Sequence, residues 1–141
     1  MAIEVSRAEV WAATIDDRVG ATSEKLDALA KAGANFEFLL ARRSPEEPGK
    51  GLLFVAPVKG AKLMRAAREA GFERSDEIHS LRIEGPDKAG VIASVTRALT
   101  DAGISFRGLS AAAVGRRFVA HLAVDSADDA KKATSALKKL R

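Results

Sequence analysis

Cysteine and tyrosine are absent from the 141 residues, and tryptophan and asparagine occur once each, as Trp11 and Asn35. The first absence excludes disulfides, thiolate zinc sites and thiol nucleophiles together, and agrees with a reducing compartment. Aromatic residues make up only 5% of the chain, so Trp11, Phe36, Phe38, Phe54, Phe106 and Phe118 fit core or interface positions better than base-stacking platforms. No segment approaches 18 uninterrupted apolar residues, and the stretch Met1-Ala2-Ile3-Glu4-Val5-Ser6-Arg7 has no basic region followed by an apolar run. Neither a membrane span nor a leader is expected, and the reading is a cytoplasmic, untethered protein. Acidic residues are scarce in one half only: residues 78–141 carry 11 basic and 6 acidic side chains, against 12 and 13 in residues 1–77. The excess at Arg116, Arg117, Lys131, Lys132, Lys138, Lys139 and Arg141 is either a solvated helix flank or a basic face for an acidic partner.

What the chain does contain is a repeat. A shift of 70 residues superposes Asp17 on Asp87, Gly20 on Gly90, Ala28-Leu29 on Ala98-Leu99, Ala32-Gly33 on Ala102-Gly103 and Phe36 on Phe106. The shared unit is an Asp-x-x-Gly loop, about three helical turns, Ala-Gly and a strand. Each unit of roughly 65 to 75 residues is near the lower limit for an independent core.

Residues 1–77 are expected as the first unit and residues 78–141 as the second. In the first, Val10–Ile15 reads as a buried strand, Ala21–Ala32 as a helix with Leu26, Leu29 and Ala30 inward, and Asn35–Leu40 with Leu52–Ala56 as a hairpin. Gly60–Ala70 reads as a second helix and Phe72–Ile78 as a last strand. The second unit repeats the order with Ser80–Glu84, a helix Gly90–Ala102 carrying Ile92, Val95 and Leu99 inward, strands Ile104–Ala113 and Phe118–Val124, and a helix from Ala127 to Leu140. Its own last strand is missing. The fold class is therefore α+β, two tandem ferredoxin-like βαββα(β) units with antiparallel sheets and helices on one face. The missing strand leaves an unpaired edge beside Ser80–Glu84, and Ala2–Ser6, with Ile3 and Val5 alternating, either fills it or extends the first strand of unit one.

The duplicated pattern, with Leu81-Arg82-Ile83-Glu84-Gly85-Pro86-Asp87-Lys88-Ala89-Gly90-Val91-Ile92 as strand and loop and Ala-Gly-Ile-Ser-Phe-Arg-Gly-Leu-Ser after the helix, resembles the ACT domain family. The resemblance covers nearly the whole chain from about Val10 as two copies. It departs from the family where a Pro commonly precedes the loop Gly, since Val19 and Ala89 stand there. It implies a small non-enzymatic regulatory protein that binds an amino acid between paired units, pairs as a homodimer, and regulates a separate enzyme or regulator. No catalytic residue, cofactor or metal is implied.

An amino acid needs donors for its carboxylate and an acceptor for its ammonium. A helix entry offers unpaired backbone N–H groups at the positive end of the helix dipole, and a Gly there lets a ligand approach the backbone. The expected ligand-binding residues are Gly20 and Ala21 with Asp17 in the first copy, and Gly90, Val91 and Ile92 with Asp87 in the second. The alternative is that Asp17 and Asp87 are capping or Asx-turn residues. His79 and His121 lie on different strands without a metal-ligand pattern and read as ordinary strand histidines. Ser105 and Ser110 are either ligand contacts or solvent-facing. A nucleic-acid binder would want a basic-Gly-aromatic run, which Gly115-Arg116-Arg117-Phe118-Val119 approximates poorly. An acylphosphatase-like hydrolase would need a catalytic Asn, and only Asn35 exists. A dimerisation module with vestigial loops is the remaining alternative.

Overall fold

A computed structural model describes residues 2–75 and 78–140. In chain order the elements are β1 (Glu4–Ala8), β2 (Trp11–Asp16), α1 (Ala21–Ala30), β3 (Phe38–Arg43), β4 (Lys50–Ala56), α2 (Ala61–Glu69) and β5 (Glu73–Arg74). There follow β6 (His79–Pro86), α3 (Val91–Asp101), β7 (Gly108–Val114), β8 (Arg117–Val124) and α4 (Ala127–Lys138). Two antiparallel four-stranded sheets result, ordered β3-β4-β2-β5 and β1-β6-β8-β7. Both are tandem ferredoxin-like α+β units, as the repeat requires.

The unit boundaries differ from a division at residue 77. One compact unit is Glu9–Ser75; the other joins Met1–Ala8 to Asp76–Arg141. The physical reason is the free edge of β6. Strand β1 pairs with it in antiparallel register from Glu4 opposite Glu84 to Ala8 opposite Ser80, taking the place that β5 holds beside β2. Ile3, 9% exposed, enters the core with Val5 against it. At the ends of the strand, an Arg7 Nη2 donates to His79 Nδ1 at 3.0 Å and an Arg117 guanidinium lies 3.8 Å from Glu4.

In this unit strand alternation buries Leu81 and Ile83 from β6 and Phe118, Ala120, Leu122 and Val124 from β8. Helical spacing adds Val91, Val95 and Leu99 from α3, and Ala130, Ala133 and Leu137 from α4. Val91, 4% exposed, is the first inward residue of α3, and Ile92, half-buried, packs against the same core. The core of the Glu9–Ser75 unit gathers Trp11, Ala13 and Ile15 with Leu29, Leu53, Val55, Leu63, Ala67 and Phe72. Trp11 is 1% exposed, and the Arg68 guanidinium lies over its ring, 5.4 Å from the centroid.

Other expectations shift by a few residues. Strand β3 begins at Phe38, not Asn35, because the exit from α1 is taken up by Ala34 N–H bonding back to the Leu29 carbonyl. The expected strand Phe72–Ile78 is reduced to Glu73–Arg74, and Asp76 and Glu77 fall outside the described residues. Phe106, expected in a core or interface, is 41% exposed. No helix of the described residues is long and apolar enough to cross a membrane.

Candidate functional site

The two loops differ although their backbones match. In the second, Asp87 N–H donates to the Arg116 carbonyl at 2.8 Å and Val91 N–H to the Lys88 carbonyl at 3.1 Å. Gly90 sits at φ 82, a left-handed conformation that side-chain-bearing residues rarely adopt. The first helical bond runs from Ser94 N–H to the Gly90 carbonyl at 2.9 Å. Ile92 and Ala93 therefore keep their N–H groups free of backbone partners, as the first turn of a helix must. The Asp87 side chain is exposed and makes no hydrogen bond or ion pair among the described residues. A Cβ placed on Gly90 would meet nothing within 4 Å, so the approach to this turn is open.

The first loop has the same frame. Gly20 has φ 90, Asp17 N–H bonds the Gly49 carbonyl at 2.9 Å, and Glu24 N–H bonds the Gly20 carbonyl at 3.0 Å. Its side chains, however, satisfy one another. Arg43 Nε donates to Asp17 Oδ2 at 3.0 Å. The Arg18 guanidinium makes a fork to Glu24, at 3.1 Å to Oε1 and 2.6 Å to Oε2, and comes within 3.9 Å of a Cβ built on Gly20. That hydrogen bond and charge hold the Glu24 carboxyl below its usual range, and Lys50 does the same to Asp16.

Two expectations change. Ala21 and Val91 do not present their N–H groups, because these donate to the carbonyls of Arg18 and Lys88, and their side chains are buried. The donors of the first turn lie one and two residues later, at Thr22 and Ser23 and at Ile92 and Ala93. Nor do Asp17 and Asp87 act as caps: neither carboxylate accepts from a backbone N–H among the described residues. Gly20, Gly90, Asp17, Asp87 and Ile92 do meet at the helix entries. The residues missed from sequence are Arg18, Glu24 and Arg43, and the repeat held the signal, since their counterparts 70 residues on are Lys88, Ser94 and Ala113.

Chemically, the second entry offers paired N–H donors at the positive end of α3 and an unengaged carboxylate on the same loop. That combination suits a small zwitterion. It contains no nucleophile and base pair. His79 and His121 remain on separate strands, and no group of three metal-ligating side chains occurs among the described residues.

Residues 79–141 match the sequence model of the ACT domain. No curated protein matches the chain by sequence. Among solved structures, a protein from Bacteroides thetaiotaomicron superposes with a TM-score of 0.76 at 18% identity, over 96% of this chain and 99% of that one. The ligand-free regulatory subunit of aspartate kinase from Thermus thermophilus gives 0.67 at 17% identity, over 97% and 95%. Its counterpart from Thermus flavus gives 0.62 at 18%, over 97% and 95%. At these identities the likeness is one of fold.

Proposed function

We infer, from the premise that residues 79–141 belong to the ACT domain family, that the chain is a regulatory protein whose second unit binds an amino acid at the Asp87–Ile92 loop. The observation that carries this reading is the contrast between the loops: Asp87 is unengaged and Gly90 open, whereas Asp17 is held by Arg43 and the Arg18 guanidinium stands beside Gly20, paired with Glu24. The ligand carboxylate takes the free N–H groups of Ile92 and Ala93, beside Gly90, and the ammonium takes Asp87. The first loop carries the same fold with its polar groups already matched and stays empty. A second copy of the chain supplies the wall facing the loop, so the working form is a homodimer. The protein is not an enzyme and acts in the cytoplasm on a separate enzyme or regulator, by fold-level analogy with the regulatory subunits of aspartate kinase.

The test is thermal stability against each of the twenty amino acids, repeated with Asp17→Ala and Asp87→Ala. Ligand at about 100 times its dissociation constant stabilises by about 2.7 kcal/mol. One amino acid, or a related group, should raise the midpoint of the wild type and of Asp17→Ala but not of Asp87→Ala. No shift with any of the twenty, or a shift that survives in Asp87→Ala, rejects the assignment. In the absence of ligand, Asp87→Ala should melt within about 0.5 kcal/mol of the wild type, since the carboxylate has no partner to lose.

A further inference from the structure

On the helix layer of the second unit, Lys131, Lys132, Ser135, Ala136 and Lys139 of α4 and its end line, with Ala102 from the end of α3, an open depression of about 340 Å³. The three lysines are exposed, and none forms an ion pair among the described residues. A basic helix flank is ordinarily neutralised by acids three or four residues away. Lys131 has Asp128 at that spacing and Lys132 has Asp128 and Asp129, though none of these forms an ion pair with them, and Lys139 has no acid there. Elsewhere the basic side chains divide: Arg18, Arg43, Lys50 and Arg74 each meet a carboxylate, at 2.6, 3.0, 2.6 and 3.2 Å, whereas Lys59, Lys62 and Arg65 form no ion pair among the described residues. The α4 lysines combine unmatched charge with short side chains and a concave surface.

We propose that this depression docks an acidic peptide segment of a partner protein. The charge calls for carboxylates or phosphates, and the lining narrows the choice. There is no arginine and no aromatic side chain in it, which a nucleic-acid groove uses for phosphate forks and base stacking. Among the described residues the exposed large apolar ones are Val19, Leu39, Leu40, Phe106 and Val114, and none lies on α4, which gives that helix no apolar wedge for a bilayer. Ala102 and Ala136 let a peptide backbone come close, and the lysines are flexible point charges that adapt to side-chain carboxylates. Lys132 and Lys139 are seven residues apart, about 10 Å along the helix, which matches carboxylates three residues apart on one face of a polyproline-II segment, about 9 Å.

The probe is fluorescein-labelled deca-glutamate added to the full chain and followed by anisotropy at low salt. Three proteins are compared: the wild type, K131E/K132E/K139E, and the charge-matched control K59E/K62E/R65E before and within α2. The wild type and the control should bind alike, the α4 variant at least tenfold more weakly, and all binding should weaken with added salt. Thermal melts check that the variants fold, and K131Q/K132Q/K139Q reads the same site without inverting its charge. Equal binding by the wild type and the α4 variant overturns the proposal. So does an equal loss in the control, or tighter wild-type binding to a ten-residue deoxythymidine strand or to phosphatidylserine vesicles. No amino acid enters this test, so its failure leaves the Asp87 site standing, and the reverse holds.

Discussion

Strand β1 is the element on which the second unit most visibly depends, and Ile3 is its anchor. Ile3 is 9% exposed within the same core as Leu81, Ile83 and Phe118. Truncating a buried Ile to Ala costs about 2–5 kcal/mol; a site at the end of an outer strand relaxes more easily, placing Ile3→Ala near 2–3 kcal/mol. For a unit of this size each kcal/mol moves the midpoint by about 4–8 °C, so the shift is on the order of 10–20 °C. Deleting residues 2–8 removes Val5 and the whole register with β6 as well, leaves an unpaired edge, and should cost more and promote association. The assay is thermal unfolding read two ways. Far-UV circular dichroism reports both units, while Trp11, the single tryptophan, lies in the Glu9–Ser75 unit. Ile3→Ala should split the dichroism curve by lowering one transition and leave the Trp11 fluorescence midpoint in place. Val19→Ala, at a residue 99% exposed, serves as the control and should shift nothing. An unchanged dichroism midpoint in Ile3→Ala and in the deletion would refute the role assigned to β1, as would failure of a synthetic peptide of residues 2–8 to restore the deleted protein.

Further outcomes follow from the same geometry. A Cβ on Gly85 would lie 3.0 Å from the Ala2 carbonyl oxygen, 3.0 Å from Ile3 Cδ1 and 3.1 Å from Phe118 Cε1. Gly85→Ala should therefore cost about 1–3 kcal/mol, and less in an Ile3→Ala background, where one clashing atom is gone; strictly additive urea-unfolding energies would contradict that contact. Acid should weaken the Glu9–Ser75 unit. Hydrogen bonds and charge from Lys50 and Arg18 hold Asp16 and Glu24 below their ordinary values of 3.8 and 4.5. A folded-state pKa below the unfolded one gives stability that is present above the unfolded value and is lost as pH falls through the folded one. The Trp11 midpoint should thus drop between about pH 5 and pH 3. D16N/E24Q should flatten that limb, and a limb equally steep in the variant would count against the two pairs.

Much of the fold was legible because the repeat keeps its punctuation at a fixed offset: loop Gly, Ala-Gly stop and strand recur 70 residues apart. The register of β3 was not, since Phe36, Phe38 and Leu40 alternate plausibly while the actual start depends on how Ala34 closes α1. The place of β1 was only half legible, because Ile3 and Val5 alternate equally well on either of two edges. Pairing with a strand more than seventy residues away is a tertiary choice. At the candidate site, the two helix entries at Gly20 and Gly90 were readable from the Asp-x-x-Gly spacing. The burial of Val91 and Ala21 was hidden because a loop-facing and a core-facing first residue look alike in sequence. The closure of the first loop rests on Arg43 reaching back 26 residues to Asp17.

The path of the chain through the second unit also orders its synthesis. The polypeptide leaves that unit after Ala8 and re-enters it at Asp76, so Glu9–Ser75 is an insert between two segments of a host. On the ribosome β1 is made before the insert and β6 after it. At typical synthesis rates of about 5–20 residues per second, β1 waits roughly 4–15 s for its partner, while the insert already has every residue of its own core. Strand β1 is thus made before its insert but placed after it, and a nascent chain that has cleared the ribosome only as far as residue 75 would display a finished insert with β1 still bare.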